Sequence, residues 1–476
     1  MKTIGIIAEY NPFHNGHAYQ IKKIREITGA DFVVVAMSGD FVQRGEPAII
    51  DKYARTKMAL YSGADFVVEL PVLWATASAE NFAMAGITLF EKMGCIDGIC
   101  FGAETDNLPL LTALADILVE EPESYKIALS SYLKKGMNFP TARTKALCDT
   151  FWSYSLAESR HTHNSQLSEP VTSELLTEIL SSPNNILALE YLKALKRSNS
   201  SIKPFLLKRE GAGYHDTQIY SHSDNHALFP VGEDTKSYLF SLPETPTASA
   251  TAIRNILLSK SAASYTEKSV SAADIPAKPL DAGQQKKLEA SMPPSAFDIL
   301  LEYLNCHHAL CADDFSSLLG YQLLCHANDG FFNVGDITPD IANRLCSNRY
   351  QYHSFSQFCE LNKSRNVTYT RLSRILLHLI LDITTDTYAL GQAFDYIPYL
   401  RLLGFQKNSS MLFSILKKST GLPIISKLAD APSILSDNAM KLLEKDIFAA
   451  DLYEQTKAIK KRTTSRSEYT REIVRI

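Results

Sequence analysis

The sequence contains no apolar run long enough to cross a bilayer. Its longest runs, such as Arg374 to Leu381, are short and carry His378, against the roughly 20 apolar residues that a membrane helix needs. The N-terminal run in Met1 to Phe13 has only about six apolar residues before Glu9, so it reads as a strand and not as a signal peptide. Cys-x-x-Cys pairs are also missing. The eight cysteines, Cys95, Cys100, Cys148, Cys306, Cys311, Cys325, Cys346 and Cys359, are scattered, which excludes a disulfide scaffold and fits reduced thiols in a soluble, cytosolic protein. Nor is there an excess of one charge: 48 Lys and Arg stand against 52 Asp and Glu, a net charge of −4. A nucleic-acid partner would therefore have to be held by a local basic patch. With 21 Gly, 20 Pro and 45% hydrophobic residues in 476, the chain is not disordered, collagen-like or of low complexity. Its length allows two to four domains.

The first 110 residues alternate strand and helix patterns. Thr3 to Ala8, Asp31 to Ala36, Asp65 to Leu70 and Asp97 to Phe101 read as buried strands. Gly16 to Thr28, Asp51 to Ser62 (with Asp51 as cap) and Ser78 to Lys92 read as the helices between them. Single helices between strands imply right-handed crossovers and a parallel sheet, with ligands bound outside the carboxyl ends of the strands. Leu108 to Trp152, Val171 to Ser181 and Asn185 to Arg197 read as helical, and Ile202 to Lys208 as a fifth strand. Residues 155 to 172 and 211 to 248 read as loops. A helix starts at Thr251, residues 259 to 285 read as a linker, and the rest is almost all helical.

The strongest local motif is His14-Asn15-Gly16-His17, after the first strand and at the start of a helix. Two histidines three residues apart share a face, Gly16 permits close approach of a ligand, and free amides at a helix N-terminus favour an anion. These features suit a phosphate chain. Two other readings stay open on spacing alone: a zinc pair, which needs further ligands that are not evident nearby, and ordinary capping histidines.

A strand followed by H-x-G-H at a helix start resembles the nucleotidylyl-transferase superfamily, whose members bind ATP on a parallel sheet. Ser249-Ala250-Thr251-Ala252-Ile253-Arg254 resembles the superfamily's second phosphate motif, with Ser249 or Thr251 as helix cap and Arg254 facing phosphates. The segments Glu9 to His17, Met37 to Pro47, Arg55 to Leu60, Phe101 to Glu104, Ser182 to Leu187 and Ala212 to Asp216 resemble, in order, the tRNA(Met) cytidine acetate ligase family. The resemblance implies a parallel, Rossmann-like α/β domain over residues 1–258, a linker over 259–285, and an all-α tRNA-binding domain over 286–476. It also implies a reaction: acetate and ATP give acetyl-adenylate, and the acetyl group passes to N4 of wobble cytidine 34 of elongator tRNA(Met). Mg²⁺ is the expected companion of ATP.

Carried over by motif, His14 and His17 are the catalytic residues. The implied ATP site is Ile7, Ala8, Glu9, Tyr10, Asn11, Pro12, Phe13, His14, Asn15, Gly16, His17, Ala18, Tyr19 and Gln20, with Gly102, Asn184 and Arg209. All of these lie before residue 259. His215 and Asp216 are candidate bases for acetyl transfer. For the tRNA, two basic stretches stand out: Lys363 to Arg374, with Lys363, Arg365, Arg371 and Arg374, and the tail from Lys457 to Ile476. Cys306-His307-His308 and Cys311 lack zinc-finger spacing and read as structural. The rival reading is an adenylyltransferase that makes a small cofactor, of the pantetheine phosphate or nicotinamide mononucleotide class. Such an enzyme needs no helical half.

Overall fold

The computed structural model describes residues 1–158, 171–209, 249–262, 280–326 and 328–476. The N-terminal alternation is present. Strand β1 (Thr3–Ala8) leads to helix α1 (Asn15–Thr28), then β2 (Phe32–Ser38), a small hairpin of β3 (Phe41–Val42) and β4 (Glu46–Pro47), and α2 (Lys52–Tyr61). Next come β5 (Phe66–Leu70), a short α3 (Val72–Ala75), α4 (Ala79–Met93) and β6 (Gly98–Ala103). The expected strands are found within about two residues, the usual uncertainty of a helix or strand end. Asp51 caps α2 as expected, accepting from Ala54 N at 2.9 Å. Helices α5 (Leu108–Glu120), α6 (Glu123–Lys134), α7 (Phe139–Glu158), α8 (Ser173–Ser181) and α9 (Pro183–Arg197) precede β7 (Lys203–Lys208) and α10 (Ala250–Ala262).

The C-terminal region is helical. It holds α11 (Ala282–Ser291), α12 (Pro294–Cys306), α13 (Ser316–Cys325), α14 (Pro339–Asn348), α15 (Phe355–Asn362), α16 (Tyr369–Leu381) and α17 (Thr385–Ala393). It also returns to the sheet, through β8 (Leu400–Phe405), β9 (Ile424–Ile425) and β10 (Val474–Arg475). Between and around these run α18 (Ser410–Ser419), α19 (Ala431–Ile434) and the long α20 (Asp437–Lys461). The sheet order is β10-β8-β5-β2-β1-β6-β7, with β9 on β8. Strands β5, β2, β1, β6 and β7 are parallel, and β8 joins β5 antiparallel with a bulge at Val67/Val68.

Both faces of this sheet are covered, which is why β2 reads as an uninterrupted apolar run buried at every position. One face packs Ile4, Val33 and Val35 against Ile21 and Ile24 of α1, Met58 of α2, Leu288 of α11, Met292 just after it, and Leu300 of α12. The other packs Val34, Val68 and Phe90 in a cluster that reaches Leu376, Leu402 and Tyr453. Residues beyond 286 therefore contribute to the core on both faces, and the expected boundary near 285 does not separate two cores.

A buried ion cluster joins the same parts. Lys52 Nζ lies 2.8 Å from Glu69 and 2.8 Å from Glu468; Arg401 lies 3.4 Å from Glu69 and 2.9 Å from Glu468. All four side chains are 5% exposed or less. Tyr53 donates its hydroxyl proton to Glu468 at 2.8 Å.

Candidate active site

The loop after β1 and the first turn of α1 carry the two histidines. His14 is the N-cap, in extended conformation. Its Nδ1 accepts from Gly16 N at 3.1 Å, and His17 Nδ1 accepts from His14 N at 3.3 Å. This reciprocal capping is usually made by Ser or Thr with Glu or Gln. The two imidazoles stack with centroids 3.7 Å apart and planes 24° apart. Each Nδ1 acts as an acceptor, so in a neutral ring the proton lies on Nε2, and each ring keeps an N–H donor for a ligand. Burial pushes His14 down to about 3, with the positive charges of Arg209 and Arg254 adding to it. Burial, His14 and Arg209 hold His17 well below its usual value. Both rings are therefore neutral donors at neutral pH.

The rest of the segment holds this pair. Tyr10 and Phe13 are buried and press edge-on and tilted against His17, with centroids 4.7 and 5.5 Å away. Asn11 accepts from Ile49 N at 2.8 Å through its side chain, and the Asn11–Pro12 peptide is cis. Glu9 accepts from Gln43 N at 2.9 Å, and burial raises its carboxyl. Asn15 donates through its side chain to Ala290 O of α11 at 2.9 Å. Gln20 donates to Cys100 O at 3.3 Å, fixing α1 on β6. Ile7 and Ala8 end β1, and Ala18 and Tyr19 continue α1.

The second phosphate motif meets the first, although 243 residues separate the bonded pair. Ser249 caps α10, accepting from Ala252 N at 3.1 Å. Arg254 donates to Asn11 O at 2.9 Å and to Thr251 Oγ1 at 3.1 Å. Gly102 and Arg209 are also together: a Cβ on Gly102 would lie 3.3 Å from Arg209 Cγ, so the arginine stem runs over that glycine. Asn184 reaches the same edge by donating to Glu104 Oε1 at 2.6 Å. A lock that the sequence reading missed lies beside it. Glu104 Oε2 accepts from Asn185 N at 2.9 Å, and Asn185 Oδ1 accepts from the amides of Glu104 at 2.9 Å and Thr105 at 3.2 Å. The F-G-A-E and P-N-N motifs carried this pairing in the sequence, but only the fold shows that they meet.

The structure thus gathers His14, His17, Arg254, Gly102, Arg209 and Asn184 at the carboxyl ends of β1, β6 and β7. His215 and Asp216 lie outside the described residues, as does most of the expected 155–172 loop and all of the expected 211–248 loop. Among the described residues, no group of three or more His, Cys, Asp and Glu could hold a metal ion.

The basic candidates lie elsewhere. Lys363 is half exposed, 3.5 Å from Glu360, and Arg365 is exposed. Arg371 and Arg374 both face Asp336, at 3.5 and 3.7 Å, but their side chains are 33% and 11% exposed. The β3–β4 hairpin rests on the helix backbone at Ser373 and Arg374. Gly45, at φ 79, comes so close that a Cβ would lie 2.3 Å from Arg374 N. In the tail, Lys457 is buried against Asp51 and Glu454, Lys460 pairs with Asp314, and Arg471 with Glu454. Much of that basic run is therefore turned inward. Cys306 ends α12 and His307 packs on Tyr303.

Paired, neutral imidazole donors and an arginine from a second motif, at the carboxyl edge of a parallel sheet, define a nucleotidyl transferase. The HIGH Nucleotidyl Transferase family profile matches residues 1–228 and 223–468. The chain is 34% identical over 454 residues to a tRNA(Met) cytidine acetate ligase of Thermoanaerobacter sp. (strain X514), covering 95% of each. It is 35% identical over 477 residues to the enzyme of that name from Caldanaerobacter subterraneus, covering 100% of each. Two crystal structures of Thermotoga maritima TmcAL superpose over the whole of both chains at 26% identity: one apo, TM-score 0.80, and one bound with alpha-thio ATP, TM-score 0.79. The chain belongs to the tRNA(Met) cytidine acetate ligase family, and it is a ligase. Among the described residues, no helix is long and apolar enough to cross a membrane.

Proposed function

We propose that the chain activates acetate with ATP and acetylates the wobble cytidine of elongator tRNA(Met) in the cytoplasm. An acetate oxygen attacks the α-phosphorus, the bond to the bridging oxygen breaks, and pyrophosphate leaves. The cytidine N4 amine then attacks the acetyl carbonyl, AMP leaves, and the amine loses one proton. The product is N4-acetylcytidine. The observation that carries this reading is the stacked His14–His17 pair, whose Nδ1 atoms are taken by backbone amides and whose Nε2–H donors are left for a ligand, with the charges of Arg209 and Arg254 acting on His14. Such donors stabilise charge that grows on the α-phosphate and the leaving group without any proton having to move. The ligand in one Thermotoga maritima TmcAL structure, alpha-thio ATP, and the names of the relatives support the nucleotide and the tRNA.

For Mg²⁺, the described residues offer no protein-built cage, so the ion fits only as one carried by the phosphates of ATP. No step above is routed through it. Gly102 and Asn184 would border the nucleoside, and Arg209 the phosphates. The region 286–476 would present the anticodon loop, where an unstacked base can be read by its edges and by stacking.

The test is ATP–pyrophosphate exchange. Exchange that requires acetate but not tRNA, together with labelled acetate appearing in cytidine only when tRNA(Met) is added, is the expected result. Exchange driven by a pantetheine phosphate or a nicotinamide mononucleotide instead would replace this reading with the cofactor-type one.

A further inference from the structure

Arg55, in the first turns of α2, makes contacts that the reaction does not yet use. Its side chain is 0% exposed. It makes no hydrogen bond to a carboxylate; Asp40 is 4.0 Å away. Its donors go to backbone carbonyls instead: Nε to Ile50 O at 3.1 Å, Nη1 to Glu9 O at 2.6 Å and to Ser38 O at 3.1 Å, and Nη2 to Gly39 O. These carbonyls come from three separate stretches. Glu9 opens the loop that carries His14. Ser38 and Gly39 are where β2 ends. Ile50 precedes α2.

A buried guanidinium is costly to desolvate, and it is retained only where its bonds are well made. Here four carbonyls accept from one planar fork, a geometry that a lysine ammonium cannot reproduce. The Glu9 carbonyl is the significant one. The next residue, Tyr10, has φ 48 and packs edge-on against His17. Asn11 then takes Arg254 on its carbonyl and Ile49 N on its side chain. Arg55 thus grips the near end of a short, fully packed loop whose far end is the catalytic pair. Being sealed from solvent, it cannot touch ATP.

We propose that Arg55 is a positioning residue for acetyl-adenylate formation: its fork fixes the Glu9 carbonyl and with it the placement of His14 and His17 over the α-phosphate. This rests on the reaction proposed above. Misplacement of a catalytic group by about 1 Å can cost about 10²-fold in rate.

The test uses the full chain with Arg55→Lys, which keeps the charge and loses the fork. Acetate-dependent ATP–pyrophosphate exchange should fall about 10²-fold in kcat, with KM for ATP little changed, in protein that still melts cooperatively. In a His17→Ala background the same substitution should have much less effect, because two residues acting through one group are not additive. If the wild-type protein shows no acetate-dependent exchange, the reaction itself is wrong. If it does, and the folded Arg55→Lys variant keeps its kcat or is fully additive with His17→Ala, the positioning role is overturned. If Arg55→Lys does not fold, Arg55→Gln takes its place, and failure of both to fold assigns the residue to the fold alone and likewise overturns the proposal.

Discussion

Two imidazoles do here what a hydroxyl and a carboxylate do at most helix starts, and the exchange has a chemical use. A Ser–Glu pair would satisfy the same amides but place a negative charge where the proposed reaction puts a phosphate. Neutral histidines satisfy the amides through Nδ1 and keep Nε2–H for the ligand. His17→Ala should therefore lower acetyl-adenylate formation by about 10²-fold, the effect of losing one preorganised donor. Its stability loss should be on the order of 1 kcal/mol, that of a helix cap, as read by denaturant unfolding. The burial that holds the histidines neutral also makes stability depend on pH. In the unfolded chain a histidine takes up a proton near pH 6.5, whereas folded His14 does so only near 3. The His14 contribution is complete above about pH 6.5 and is lost as pH falls from there towards 3, and His17, also held well below its usual value, acts in the same direction. A His14→Asn variant should lose less stability than wild type between pH 7 and 5; an equal loss would mean that these rings are not the ones excluded from protonation.

At the scale of elements, the legible parts were those with a repeating local cause. Thr3 to Ala8 and Asp31 to Ala36 stand out because strands buried on both faces leave unbroken apolar runs, and Asp51 marks a helix start by its capping side chain. Strand β8 was not legible: Leu-Arg-Leu-Leu-Gly-Phe has neither alternation nor length to separate it from a buried helical turn. Burial on α16 was hidden for a different reason. Arg371 and Arg374 are three residues apart and look equivalent in sequence. What separates them is exposure, 33% against 11%, and Arg374 lies where the β3–β4 hairpin, more than 320 residues away, rests on the helix backbone. Substituting Lys363, Arg365 or Arg371 by Ala should weaken tRNA binding and reduce its salt dependence by about one unit of slope per lost phosphate contact. Arg374→Ala should instead lower the melting temperature, because it empties a largely buried position and leaves Asp336 only the more exposed Arg371. Filter binding across a salt series checks the first. If Arg374→Ala reduced tRNA affinity as much as Arg371→Ala at unchanged stability, this division of roles would fail.

For the whole molecule, the positions of the site residues and the packing lead to opposite expectations. Every residue assigned to ATP lies before 259, so a fragment ending near Gln285 ought to keep the nucleotide site. The packing says otherwise. One face of the sheet is covered by Leu288, Met292 and Leu300, and the other by a cluster reaching Tyr453. Strand β5 would become an open edge without β8, exposing unpaired backbone to aggregation. Lys52 and Glu69 would stay, but Arg401 and Glu468 would be gone. Breaking a buried ion pair costs about 3–5 kcal/mol, a large part of the roughly 5–15 kcal/mol by which a domain is stable. Residues 1–285 alone should therefore aggregate or lack a cooperative melt, and should not bind ATP. Co-expression with 286–476 should restore both. A soluble 1–285 fragment that melts cooperatively and binds ATP by calorimetry would show that the C-terminal strands decorate the sheet without supporting it. If the fragment fails as expected, the helical half cannot be a detachable tRNA clamp. It meets the loop after β1 where Ala290 O of α11 accepts from Asn15, and it meets α2 through the ion cluster, so in the proposed reaction the region that presents the tRNA and the loop that holds ATP would share one frame.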